Sequence, residues 1–188
     1  MQNTVPAGEG AMCAVLALDE KVIEQVLEGM EDVSIANYNC PGQIVITGKT
    51  AQVGAAKERL EAQGARRCIL LNVSGPFHSP LLKAAGEQLF SEMEKMEFGQ
   101  LSIPYITNVT ARKVTDAKEI KPLLAKQVYS PVQWMQSVRT MLEEGADTFV
   151  EIGPGRTLAG FMKKIAPEMK VYQAAKWEDL EKISAELG

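Results

Sequence analysis

An α/β fold is predicted by three observations. Over residues 12–73, apolar runs and helical stripes follow the order strand, helix, strand, strand, helix, strand, which is the split βαβ or ferredoxin-like arrangement. After residue 147, strands and amphipathic helices alternate, and a parallel sheet with covering helices is the economical reading. The chain has 188 residues, 46% of them hydrophobic, enough to bury a real core as one domain carrying a smaller inserted one.

Residues 1–10 are polar, with Pro6, Gly8 and Gly10, and read as an entry loop. A strand over 12–18 leads to Asp19, a capping residue, and a helix whose apolar face is Val22, Ile23, Val26, Leu27 and Met30. Strands over 33–38 and 43–47 flank a turn at Asn39-Cys40-Pro41-Gly42. Gly48 closes this pair. Thr50 is expected to cap the next helix, with Val53, Ala56 and Leu60 inward and Gly64 as its stop. Cys68 to Val73 is an apolar run of the kind that a covered strand shows, and the fourth strand is placed over 67–73. Leu82, Ala85, Leu89, Met93 and Met96 mark the face of a following helix, and Pro104 to Val109 reads as a strand. A turn-rich piece over 110–116 leads to a helix through Leu123, Leu124 and Val128. Ser130 and Pro131 read as cap and first residue of a helix with the stripe Val132, Met135, Val138, Leu142. A strand over 148–152, a tight turn at Gly153-Pro154-Gly155, a helix over 156–165, a short strand over 171–173 and a helix over 178–187 complete the chain.

The stretch Ser74-Gly75-Pro76-Phe77-His78-Ser79-Pro80 holds the only histidine. Gly75 and Pro76 stop the strand before it, and Ser79-Pro80 has the form of an N-cap followed by a first helical proline. His78 is therefore expected at a strand end just before a helix N-terminus, the rim where α/β proteins gather reacting groups. The positive end of that helix would disfavour protonation and keep a ring nitrogen free to accept a proton, as a general base requires.

Composition narrows the function classes. The formal net charge of −4 argues against a dedicated nucleic-acid binder, and the strands lack the interleaved aromatics on which bases stack. Cys13, Cys40 and Cys68 are odd in number and widely spaced, with no Cys-x-x-Cys and no second histidine, so no metal site and a reduced, cytoplasmic chain are expected. No apolar run approaches a membrane span, and the first ten residues have no signal-peptide pattern. Gly153-Pro154-Gly155-Arg156 lacks the spacing of a phosphate loop and reads as a strand-to-helix turn.

Four blocks occur in a telling order: Pro41-Gly42-Gln43-Ile44-Val45-Ile46-Thr47-Gly48, Gly75-Pro76-Phe77-His78-Ser79, Ser130-Pro131-Val132-Gln133-Trp134 and Glu151-Ile152-Gly153-Pro154-Gly155. Together they resemble the malonyl-CoA:acyl carrier protein transacylases of bacterial fatty-acid synthesis, and the resemblance covers the later, larger part of a family member. It implies the remainder of an α/β-hydrolase-like parallel sheet domain (1–11 and 74–188) with an inserted ferredoxin-like subdomain (12–73). It further implies ping-pong transfer of malonyl from coenzyme A, through a serine, to the phosphopantetheine thiol of acyl carrier protein, with no cofactor. His78 matches the catalytic histidine, Gln127 the residue whose backbone carbonyl orients it, and Phe77 and Ser79 fall in the substrate pocket, Phe77 resembling the residue that limits its size.

None of the chain's serines lies in a Gly-x-Ser-x-Gly elbow, where the family carries its nucleophile. Met1-Gln2 resembles residues just after the arginine that pairs with the malonyl carboxylate. The expectation is a C-terminal portion that lacks nucleophile, carboxylate clamp and oxyanion hole, is inactive alone and exposes apolar surface; a truncated gene, an internal start or one half of a split enzyme that partners a missing N-terminal half would each account for it. A non-catalytic module that binds the acidic carrier protein is the alternative reading.

Overall fold

The computed structural model describes residues 4–6 and 8–188; the position of Met1-Gln2 therefore lies outside the described residues. The backbone forms two compact units, Met1–Ser137 and Val138–Gly188. Both are mixed α/β.

The first unit is built on β1 (Gly10–Leu16), α1 (Glu20–Leu27), β2 (Val33–Cys40), β3 (Gln43–Lys49), α2 (Thr50–Ala62) and β4 (Arg67–Leu70). The strands make one antiparallel sheet in the order β2-β3-β1-β4. Period-two alternation gives the sheet two apolar faces. Cys13, Val15, Val33, Ile35, Ile44 and Ile46 point toward Ile23 of α1 and Val53, Ala56 and Leu60 of α2, making the main core. Met12, Ala14, Ala36 and Val45 form a second cluster on which Leu71 and Phe77 pack. That second face supports the histidine turn.

The local chemistry matches the expected order with specific differences. Asp19 caps α1, its carboxylate accepting from Lys21 N at 2.9 Å. Thr50, expected as a cap, is instead the first residue of α2, and its hydroxyl donates to Gly8 O at 2.7 Å. Burial pushes the Cys13 thiol up to about 12, with neighbouring Cys68 adding to the shift. The expected covered strand over 68–73 is corrected in two respects. Strand pairing ends at Leu70, and β4 is a sheet edge on which Ile69 and Leu70 are exposed, as is Val73 beyond it. An apolar run reports that a strand prefers cover; whether anything covers it lies beyond its own residues.

Beyond the sheet come a 3₁₀ turn over Pro80–Leu82, α3 (Lys83–Glu94), β5 (Tyr105–Ile106), β6 (Lys113–Val114), α4 (Ile120–Gln127) and α5 (Trp134–Glu143). The helical face read from sequence holds at Leu82 and Met93, whereas Leu89 and Met96 are exposed. The strand expected over 104–109 shortens to β5, which pairs antiparallel with β6 inside the piece read as turn-rich. Ser130-Pro131 does not start a helix. Val132 N donates to Ala36 O and Tyr38 N donates to Val132 O, at 2.8 and 2.9 Å, so this segment straps onto the β2 edge before α5 begins at Trp134. The unpaired groups of an edge strand outcompeted the local capping option.

The second unit contains β7 (Thr148–Ile152), α6 (Thr157–Ile165), β8 (Lys170–Ala174) and α7 (Trp177–Leu187), with β7 and β8 parallel. The Gly153-Pro154-Gly155 turn joins β7 to α6. Gly153 N donates to Ala174 O at 2.9 Å, and Gln173 Nε2 donates to Gly153 O at 2.7 Å. Arg156 gives α6 no side-chain cap. Glu151 supplies one from the preceding strand, its two oxygens accepting from Leu158 N at 3.1 Å and Ala159 N at 2.9 Å. Glu151→Ala is expected to lower stability by about 1–2 kcal/mol in chemical denaturation, because two helix-terminal N–H groups lose their acceptor.

No described helix is long and apolar enough to cross a membrane.

Candidate active site

The histidine turn is held from three sides. Gly10, at the start of β1, lies so close under Pro76 that a Cβ there would sit 2.2 Å from Pro76 Cδ. Only glycine allows that approach. Phe77 packs on the second apolar cluster of the sheet, while its N–H donates to Gly75 O at 3.0 Å in a three-residue turn. Ser79 is buried, and its hydroxyl donates to Pro76 O at 2.8 Å. That bond replaces the side-chain capping bond expected of Ser79, which stands at the N-cap of the 3₁₀ turn without capping it through its hydroxyl.

These constraints set His78 at φ +58°, the left-handed region that a residue with a Cβ enters at a cost of about 1–3 kcal/mol. The half-buried ring then reaches α4. Its Nδ1 lies 3.0 Å from the backbone oxygen of Gln127, the last residue of that helix. A carbonyl only accepts, so Nδ1 carries the hydrogen and donates it, which leaves the Nε2 lone pair free. The helix end explains why this oxygen is available. The last carbonyls of an α-helix have no partner within the helix and carry the negative end of its dipole.

As expected, a helical stretch begins two residues after His78, with Ser79 before it and Pro80 as its first residue, but it opens as a 3₁₀ turn over Pro80–Leu82 that runs into α3; the ring's hydrogen bond is to the C-terminal end of α4.

Gln127 contributes a second atom that sequence reasoning missed. Its side-chain Nε2 donates to Ser130 O at 3.2 Å and lies 3.5 Å from His78 Nδ1. From Ser130 the strap runs to Val132 on β2, and Gln133 N donates to Asn108 O at 2.9 Å. The Ser130-Pro131-Val132-Gln133-Trp134 block thus ties α4, β2 and the segment after β5 together around the ring. Its recurrence as a block was the available signal. Among the described residues, no group of three or more His, Cys, Asp or Glu side chains converges as a metal set.

An imidazole with Nδ1 held by a helix-terminal carbonyl keeps its other nitrogen as a proton acceptor, an arrangement suited to acid–base chemistry. The chain belongs to the acyl transferase domain family, whose profile matches residues 1–176. Within it the chain is similar to malonyl CoA-acyl carrier protein transacylases. That of Bacillus subtilis (strain 168) is 42% identical over 185 residues, covering 96% of this chain and 58% of the relative. The crystal structure of the Clostridium perfringens transacylase superposes with a TM-score of 0.93 at 37% identity, over 100% of this chain and 60% of that one. A malonyl-transacylase in complex with a type II PKS acyl-carrier protein superposes with a TM-score of 0.94 at 34% identity, covering 98% of this chain and 61% of that chain. The chain therefore spans about 60% of the length of these relatives.

Proposed function

We propose that this chain supplies the acid–base part of a transfer of malonyl from malonyl-CoA to acyl carrier protein in fatty-acid synthesis. The observation that carries the reading is the 3.0 Å contact between His78 Nδ1 and Gln127 O, which leaves Nε2 as the acceptor. In this reading Nε2 takes the proton of a serine hydroxyl as the oxygen attacks the malonyl thioester. The proton then passes to the departing coenzyme A thiolate, and the same steps run in the other direction with the phosphopantetheine thiol as attacking group. The Gln127 carbonyl can keep its hydrogen bond to Nδ1 with and without the proton on Nε2, which holds the ring's orientation in between. No cofactor takes part. Phe77 is assigned to the wall that limits acyl size, and Ser79 to the substrate pocket through its hold on the Pro76 carbonyl. We further read residues 12–73 as a ferredoxin-like insertion in a hydrolase-like domain formed by 1–11 and 74–188, working in the cytoplasm.

The 188 residues contain no Gly-x-Ser-x-Gly, so the nucleophile is assigned to a further, N-terminal portion of the active protein. Reading the chain as a carrier-protein-binding module without catalysis has no geometric observation in its favour.

The test measures malonyl transfer to carrier protein by the 188-residue chain alone and by the chain joined to the N-terminal portion of a relative. Turnover only in the joined protein is the expected result. Turnover by the chain alone overturns the assignment of the nucleophile, and a folded joined protein without transfer overturns the transferase reading.

A further inference from the structure

The histidine turn rests on Gly10 at a contact that leaves no room for a side chain. A Cβ at Gly10 would stand 2.2, 2.5 and 2.9 Å from Cδ, Cγ and Cβ of Pro76. Gly10 does not have a positive φ, so its backbone would accept other residues and the glycine answers to space alone. The strand cannot back away. Gly10 pairs with Lys49 of β3, and just before it Thr50 N donates to Glu9 O at 2.9 Å while the Thr50 hydroxyl holds Gly8 O at 2.7 Å. The start of α2 therefore clamps the seat from the far side. Pro76 cannot turn aside either, since it is fully buried and its ring is closed on its own backbone.

Above this seat the turn moves as a unit. Pro76 O accepts the Ser79 hydroxyl at 2.8 Å and Gly75 O accepts Phe77 N at 3.0 Å, so His78 is bracketed by bonds made on either side of it. Its ring reaches Gln127 O over 3.0 Å, and an N–H···O bond keeps its strength only over about 2.7–3.2 Å. A carbon added at Gly10 needs about 1 Å more than it finds to reach ordinary contact near 3.5 Å, which is several times that tolerance. We propose that Gly10 is a positioning residue for His78: the notch it leaves at the start of β1, fixed by Thr50, sets the height of Pro76 and with it the reach of the ring to Gln127 O. Gly10 touches neither the ring nor any reacting atom. The seat is a property of the folded chain, and it rests on the transferase reading only for its effect on transfer.

The single histidine of the chain makes the test direct. In a ¹⁵N–¹H long-range correlation spectrum of the ¹⁵N-histidine-labelled chain, all imidazole signals come from His78, and the unaltered chain is expected to show the neutral ring protonated at Nδ1. In Gly10→Ala the ratio of Nδ1–H to Nε2–H ring is expected to fall about fivefold, the factor that one hydrogen bond of about 1 kcal/mol sets. The double variant Gly10→Ala/Pro76→Ala removes Cγ and Cδ, the two atoms nearest the new methyl, and keeps the carbonyl that Ser79 uses. It is expected to recover most of the lost ratio. That recovery separates a seat from a glycine needed only for stability, which a second substitution would not repair. A folded Gly10→Ala with the ratio unmoved, or a double variant with the ratio of the single one, overturns the proposal. Should Gly10→Ala fail to fold, the double variant decides: it is expected to fold with Nδ1 protonated, and failure to fold or protonation at Nε2 overturns the proposal. In the protein joined to an N-terminal portion, Gly10→Ala is expected to lower kcat about fivefold with KM unchanged. If the ring responds while the unaltered joined protein fails to transfer malonyl, the seat stands and the transferase reading falls; transfer by the joined protein with an unresponsive ring gives the reverse.

Discussion

His78→Asn, introduced into the chain joined to a nucleophile-bearing portion, is expected to lower kcat/KM for malonyl transfer by about 10³- to 10⁴-fold while leaving the fold intact. The size follows from the role. A hydroxyl is a poor nucleophile while it keeps its proton, and removal of a positioned general base costs roughly 10²–10⁴-fold, toward the upper end where the same ring also returns the proton to the leaving group. Asparagine is the informative replacement because of the backbone. His78 holds φ +58°, and asparagine is among the few residues with a Cβ that enter this region readily. A β-branched residue would confound lost chemistry with backbone strain. The melting temperature is therefore expected to stay within a few degrees of the unaltered protein, and substrate binding to change little, so that the loss falls on kcat. A loss below about tenfold would remove His78 from the mechanism, since water can replace a merely polar contact but not a positioned base.

The strands and helices over 12–73 are legible because apolar runs and three-and-four helical stripes are local; the facing of 12–15 is not, since all four residues are apolar, and it is the sheet that turns Cys13 and Val15 to the helices and Met12 and Ala14 to the histidine turn. His78 itself stood out as the only imidazole, bounded by Gly75-Pro76 and Pro80. What local reasoning misplaced were interactions whose partner lies far along the chain. Ser79-Pro80 and Ser130-Pro131 share the form of a cap, yet Ser79 gives its hydroxyl to Pro76 O, which the left-handed residue between them brings within reach. The segment after Ser130 answers to the free edge of β2, where Val132 bridges Asn37, 95 residues earlier. The pairing of His78 with Gln127 across 49 residues came only from resemblance, and the contact of the Gln127 amide with Ser130 O from neither source. Periodicity reports which way a side chain faces; it carries no information on which carbonyl at a helix end a distant ring will find.

Gly48→Ala is expected to produce the largest loss of stability of any single methyl added to the first unit, about 2–6 kcal/mol. Gly48 lies in β3 between its partners Ala11 of β1 and Val33 of β2. Its φ of +155° is one that residues with a Cβ rarely adopt, and the added carbon would stand 2.0 Å from Asp32 O and 2.8 Å from Val33 Cα. Both contacts are backbone atoms, so no rotamer change relieves them. Backbone strain of about 1–3 kcal/mol and overpacking of about 1–3 kcal/mol add here, because the same atom causes both. Against a typical domain stability of about 5–15 kcal/mol this is a large share, corresponding to a fall of roughly 5–20 °C in melting temperature. Gly54→Ala is the matched control: it lies within α2 with nothing within 4 Å of the new carbon, and it is expected to stabilise by about 0.5–1 kcal/mol through helix propensity and a less flexible unfolded chain. Equal effects at the two glycines would show that space, not propensity alone, had been misjudged at Gly48. The damage should also reach the site. Moving Asp32 and Val33 displaces β2, the strand whose Ala36 and Tyr38 hold the Val132 strap, and the strap holds Ser130 against Gln127. In any folded fraction of Gly48→Ala, the Tyr38 and Val132 amides that form the strap are therefore expected to exchange faster with solvent, although the substitution lies in neither β2 nor the strap.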